Sequence, residues 1–246
     1  MQLDNKLVHE FLLEQGITHL FHANTVGTAC TFLTEGGLIS RGGIENNGLF
    51  QTPQSSDNID KKFDVWNDIF LDSIDLHGKF PRYNYYGPVV FKINVDILLL
   101  QDLPAIYVTK DNPIRWKSHV DMEEYYFQNI DEFKDAYRIG AYKEMITLKD
   151  TLSTLYFGDY LEEIILDEPW VILTLSDTGE KIDLFEDARN TLDEYIKNSH
   201  YDYSKVKIKY RKKCPGVCYC SKNYLETSEQ DLKRLFLIVD SSLANN

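Results

Sequence analysis

The chain has 246 residues and 43% hydrophobic side chains, enough apolar mass for a sizeable core, which excludes disorder as its overall state. With 39 acidic against 26 basic side chains, its formal charge of −13 argues against a uniformly cationic nucleic-acid coat. Seven prolines, thirteen glycines and many aromatic residues describe an ordinary globular composition, neither fibrous nor of low complexity.

The first ten residues carry Asp4 and Glu10 beside a single lysine, and no apolar stretch approaches membrane-spanning length. The four cysteines do not make a disulfide framework, since Cys30 stands alone and Cys214, Cys218 and Cys220 are bunched. A reducing cytoplasm is the simplest compartment. Charge is unevenly placed: Lys205, Lys207, Lys209, Arg211, Lys212, Lys213 and Lys222 fall between Tyr203 and Leu225 with no acid among them. Such a strip can hold phosphates or guard a solvated edge strand with lysines, because Val206, Ile208 and Tyr210 alternate with cations.

In chain order, Leu7, Phe11 and Leu12 space a helix over residues 5–15, closed by Gly16. Residues 17–21 read as a short strand. Asn24 or Thr25 caps a helix that runs to about Glu35 and ends at Gly36-Gly37. The Gly-, Asn-, Gln-, Ser- and Pro-rich stretch from Arg41 to Asp60 predicts a long surface loop. Strands are expected over 67–74, 88–93 and 106–109, with an aromatic connection over 80–87 and a turn at Asp111-Asn112-Pro113. Helical spacing returns over 120–133. Residues 141–148 and 161–166 read as strands or short helices, 171–175 as a strand, 183–197 as an amphipathic helix, and 206–211 as the basic strand. Strands mixed with helices, without regular βαβ alternation, predict an α+β fold.

Three constellations can carry chemistry. His19 and His22 lie three apart on a strand, so they face opposite sides and make a poor metal pair; the strand does run straight into a helix N-terminus, a seat for a diphosphate or carboxamide. Glu144 is a lone carboxylate in an apolar stretch and, on a strand, shares a face with Tyr142 and Ile146, a costly place unless it is paired or used. The acids at 68, 72 and 75 are not at strand period with one another, so no carboxylate pair is implied and a solvated strand edge is expected. The Cys214-x3-Cys218-x-Cys220 spacing matches no common zinc knuckle, and no metal is expected.

Taken in order, these segments resemble the DarT-like and CmdT-like family of ADP-ribosyltransferase toxins that act on nucleic acid. The segments are His19-x-x-His22 with its capping residue, the helix ending Gly36-Gly37-Leu38-Ile39-Ser40, and Val108-Thr109-Lys110-Asp111-Asn112. Lys143-Glu144-Met145-Ile146 and the run 161–166, followed by a helix and the basic strand, complete the order. The resemblance spans residues 17–213. It implies a single ADP-ribosyltransferase-like domain over 1–246, with a split mixed/antiparallel sheet core, helical insertions and a basic region at 203–225. It implies NAD as co-substrate, with His19, His22, Asn24, Thr25 and Tyr86 binding it, and Glu144 and Arg41 as catalytic residues. The expected acceptor is single-stranded RNA or DNA, RNA being favoured, and the expected partner is an antitoxin protein in a toxin–antitoxin or phage-defence setting, with no membrane association. The sequence departs from the family in having Thr25 where an asparagine is usual and Asn112 where a histidine is expected, with His119 seven residues on. Two other readings compete: a protein-directed transferase or NAD hydrolase, and a catalytically inert acidic binding partner.

Overall fold

A computed structural model of the chain describes residues 2–80, 82–103, 106–212 and 219–238. Helix α1 (Asn5–Glu14) starts at Asp4, whose carboxylate accepts the N–H groups of Lys6 and Leu7. Strand β1 (His19–Asn24) runs into α2 (Val26–Glu35), capped by Thr25. Gly36 closes α2 in the left-handed region (φ 72°), a conformation suited to glycine, and leads to β2 (Gly37–Leu38). Then come α3 (Arg41–Asn46), α4 (Asp57–Lys62), β3 (Ile69–Leu71), α5 (Leu76–Lys79), β4 (Val89–Asn94) and β5 (Ile106–Val108). The chain continues through α6 (Ile130–Ala136), β6 (Ile146–Leu148), β7 (Leu155–Tyr156), β8 (Leu161–Asp167), β9 (Ile172–Thr174), β10 (Lys181–Asp183) and α7 (Leu184–Asn198). It closes with β11 (Lys207–Arg211), α8 (Cys220–Leu225) and α9 (Glu229–Phe236).

The main sheet has the order β1-β4-β8-β11, antiparallel except for the parallel β8–β11 pair. A second antiparallel sheet, β3-β6-β5, joins it where Phe21 and Asp72 exchange backbone hydrogen bonds at 2.8 and 2.9 Å. This split mixed/antiparallel sheet, with helices on it, is the α+β class expected from sequence. Residues 26–33 of α2 are buried, Thr28 and Thr31 among them, and the helix packs between the main sheet, where Phe32 meets Phe91, and α7. A smaller cluster of Phe63, Val65, Trp116 and Tyr126 packs the 110–126 segment onto the chain following α4, with Trp116 stacked on Tyr125 at 4.5 Å.

Several expectations change. The stretch 41–60 is not one surface loop: Ser40 caps α3 through Gly43 N–H, and Gly42 lies so close to Asn67 that a Cβ would meet its Oδ1 at 1.9 Å. The long strand expected over 67–74 shortens to β3, and the helix expected over 120–133 becomes a 3₁₀ turn at Met122–Tyr125 followed by α6, started by Asn129. The basic strand is an edge strand, as one of its two readings had it. Lys209 pairs with Glu163 at 2.7 Å, Lys205 with Asp159 at 2.9 Å, and Arg211 with Asp75 and Asp167. These pairs tie the strand to the acidic body, while the Lys205 and Lys209 side chains stay more than half exposed. Lys213, Cys214 and Cys218 lie outside the described residues, whereas Cys220 is buried and hydrogen-bonds with His77.

Gly87 sits against the end of β1, where a Cβ would lie 2.0 Å from the Asn24 carbonyl oxygen, at a φ of 155°. Gly87→Ala is therefore expected to destabilise the fold by about 1–3 kcal/mol. Urea denaturation checks this; an unchanged midpoint contradicts it.

Candidate functional site

A cavity of about 860 Å³, counted with its open mouth, lies where β1 meets α2 and the two sheets adjoin. Strand alternation sets its first wall. Leu20, His22 and Asn24 share one face of β1, opposite His19 and Phe21. His22 Nδ1 donates to the Phe70 carbonyl at 2.9 Å, and burial lowers the ring's pKa, so the imidazole is neutral and its Nε2 is an acceptor. Asn24 holds the corner: its Oδ1 accepts Thr25 N–H at 2.9 Å and Gln54 Nε2–H at 3.1 Å.

α3 supplies Arg41. Its guanidinium donates to the Thr52 carbonyl at 3.1 Å and to Asp57 at 2.7 Å, and lies over the Trp66 ring at 5.3 Å. Burial lowers its pKa while the Asp57 and Asp60 charges oppose that shift. Nε is buried without a hydrogen-bond partner. α4 adds Asp60, whose carboxyl burial pushes up to about 6 despite a hydrogen bond from Ser56. Tyr86 reaches in from the connection before β4, hydrogen-bonded with Asn112, and burial raises its phenol to about 12.

The acids around β3 were misread from sequence. Asp68 and Asp72 are four apart, an even separation, so they share one face of the extended chain with Phe70, and all three line the cavity. Burial, with the Asp75 charge, raises Asp72 to about 7. Burial also raises Asp68 to about 6 against the Asp150 N–H that it accepts. Asp75 serves elsewhere, capping α5 and pairing with Arg211.

Of the residues expected to bind or act, His22, Asn24, Arg41 and Tyr86 line this cavity together. Thr25 does not: it is fully buried as the α2 cap, accepting Thr28 N–H. The α2 N-terminus is also covered, because Gly27 has the Phe50 ring and Thr52 Oγ1 where a Cβ would stand, at 2.6 and 3.0 Å. His19 points to the other face of β1, where Nε2 pairs with Glu162 at 2.8 Å. Glu144 precedes β6 rather than lying in it. Its neighbour Met145 lines the cavity, whereas the Glu144 carboxylate accepts its preceding backbone N–H at 3.3 Å and acts on the Tyr137 phenol. Asp68, Asp72 and Asn112 were missed as site residues, while Gln54 and Asp60 belong to the stretch 41–60 that was expected to be a loop carrying function. The even spacing of 68 and 72 was the available signal for the aspartates.

A groove of about 920 Å³, open solvent included, continues from the cavity mouth past Gln54, Ser56, Tyr86, Asn112 and Ile114, which belong to both. Beyond them it carries Arg82, Arg115, Lys143 and Arg234, with Phe80, Tyr85 and Tyr142 as rings. Arg82 lies 3.6 Å above the exposed Tyr85 ring. Tyr83, by contrast, is packing, stacked on Tyr224 at 4.2 Å. Among the described residues no three His, Cys, Asp or Glu side chains converge as a metal site, and no helix is long and apolar enough to cross a membrane.

An α+β fold with one polar-floored cavity opening on a cationic groove is thus what the chain builds. It is similar to solved structures, among them the following two. One is Thermosipho africanus DarTG in complex with ADP-ribose (TM-score 0.44, 14% identity, over 78% of this chain and 50% of that one). The other is Thermus sp. 2.9 DarT in complex with ADP-ribosylated single-stranded DNA (TM-score 0.45, 10% identity, over 80% of this chain and 95% of that one). The chain spans half the length of the first. No protein-family model matches the sequence, and no curated protein does.

The acids of the cavity make stability depend on pH. Asp72 has a folded pKa above its unfolded value, so its contribution is fully present below the unfolded pKa and is lost as pH rises through about 7. Asp72→Asn is expected to raise the melting temperature by more near pH 8 than near pH 5. Thermal unfolding at the two pH values checks this; an equal or opposite change contradicts it.

Proposed function

We propose that this protein is an NAD-dependent ADP-ribosyltransferase that modifies a base in single-stranded nucleic acid. What supports the reading most is the meeting of His22, Asn24, Arg41 and Tyr86, expected from the sequence resemblance to hold or act on NAD, around one cavity with a cationic, aromatic groove at its mouth.

The chemistry asks for three things. Cleaving the bond between nicotinamide and ribose passes through a sugar with oxocarbenium character, so negative charge is needed nearby. In this reading the neutral His22 accepts a hydrogen bond from the nicotinamide end of NAD through Nε2. Arg41, with an unpaired Nε, faces a phosphate. Glu144 holds the nicotinamide-ribose hydroxyl and takes the proton of the attacking base; Met145 lines the cavity and Glu144 does not, so this role requires the half-buried side chain to move. His19, held by Glu162, and Thr25, held as a cap, support the β1–α2 corner rather than touch NAD in this reading. The groove then receives the acceptor: Arg82, Arg115, Lys143 and Arg234 meet backbone phosphates, and Tyr85 and Tyr142 offer faces for stacking bases.

The biological setting that goes with this reading is a cytoplasmic toxin held in check by an antitoxin protein that meets the acidic body, and the whole chain is one transferase domain. Incubation with labelled NAD and separate pools of single-stranded RNA, single-stranded DNA and protein tests it. Label is expected on nucleic acid; label on protein alone, or on nothing while NAD binds, contradicts it. Glu144→Gln is expected to slow transfer by roughly 10²–10⁴ with NAD binding retained. Unchanged turnover removes Glu144 from the reaction.

A further inference from the structure

The cavity wall is lopsided in charge. Asp68 and Asp72 flank Phe70 on one side, Asp60 stands on α4, and the Tyr86 phenol lies in the field of both Asp60 and Asp72. Among the described residues Arg41 is the one lysine or arginine in that wall, and it is already bonded to Asp57 and to the Thr52 carbonyl. His22 is neutral. The Asp68 side chain is 0% exposed, and its Oδ2 accepts no hydrogen bond, with Lys149 Nζ at 4.0 Å. Carboxyls desolvated in this way are costly when ionised, unless a cation meets them. The remaining wall includes the rings of Phe32, Phe70 and Tyr86, and an aromatic face attracts a flat cation.

We propose that the cavity selects a positively charged heteroaromatic ring, with Asp72 as its counter-ion, and that binding there expels a proton from the protein. The inference rests on the proposed NAD site and assigns its charged end: the pyridinium ring of oxidised NAD lies against Asp72, which then faces the positive charge that passes to the sugar as the ring departs. The proton balance follows from the resting state. Burial and Asp75 hold the Asp72 carboxyl at about 7, while Asp60 and Asp68 are at about 6. The titratable groups that share the cavity wall with Asp72 are His22 on β1, Asp60 on α4, Asp68 before β3 and Tyr86, which Arg82 also acts on; Asp75, beyond β3, acts on Asp72 through its charge. Between about pH 6 and pH 7 Asp72 therefore keeps its proton to a greater extent than Asp60 or Asp68. A cation that needs it ionised gains affinity as pH rises through that window and levels off above it.

Calorimetric titration of the full chain with 1-methylnicotinamide, a cation, and with nicotinamide, its neutral counterpart, reads this directly, with oxidised NAD as reference. The expected result is tighter binding of the cation, with an affinity that climbs towards tenfold per pH unit below about pH 7 and a proton released on binding. Nicotinamide should bind with no such slope. Asp72→Asn is expected to abolish the slope and weaken 1-methylnicotinamide by about tenfold near pH 8. Asp60→Asn should keep the slope. NAD binding with no preference between the two rings, or a slope that survives Asp72→Asn in a variant with native near-ultraviolet dichroism, overturns this inference alone. Failure of NAD and both rings to bind overturns the proposed function with it.

Discussion

The corner between β1 and α2 is the constraint on which the site depends. Asn24 accepts the N–H of Thr25 and the amide of Gln54. Thr25 caps α2 through Thr28 N–H, and the Thr28 hydroxyl accepts Thr52 N–H at 2.9 Å. The Thr52 carbonyl in turn takes both terminal nitrogens of Arg41. These groups are mostly buried, where an unmet donor or acceptor costs about 1–3 kcal/mol, so the network fixes the 50s segment over the helix start. That segment fills the space an anion would take at a bare helix N-terminus. The cavity is displaced sideways as a result, onto His22, Arg41 and the face of β3.

The displacement sets the electrostatics. A helix N-terminus offers positive partial charge, whereas β3 and α4 offer Asp68, Asp72 and Asp60. The floor of the cavity is acidic and its one guanidinium is neutralised by Asp57, so negative potential inside gives way to the cations of the outer groove. A ligand that is positive at one end and anionic along the rest suits that gradient, as does an acceptor whose phosphates stay outside. The molecule's overall acidity is compatible with this because the lysines and arginines that matter are local; within β11, Lys209 and Arg211 pair with Glu163, Asp75 and Asp167.

Much of this was legible in the sequence where one physical rule acted alone. Glycine 36 ended α2, alternation separated His19 from His22, and the valine–lysine alternation marked β11 as an edge. Legibility failed where tertiary contacts decided. Gly42 and Gly43 read as loop residues, yet they are small because α3 packs on Asn67 and Ile39. Glu144 read as part of a strand that begins only at Ile146, since Thr109 captures the backbone of Lys143 and Met145 through its hydroxyl. Asp68 and Asp72 read as solvated, although their even spacing beside Ile69 and Leu71 already placed them on one face. What sequence could not supply was which face the neighbouring sheet leaves open.

The central claim is that one cavity, walled by β1, α3 and β3, is where NAD binds. A crystal structure of the protein with ADP-ribose and nicotinamide tests it most directly. The account predicts density inside that cavity, with a phosphate at Arg41 and the nicotinamide ring between His22 and Asp72. Density seated instead outside this cavity, for example under α2 beside Cys30 and Tyr195, with His22 and Arg41 untouched, contradicts it.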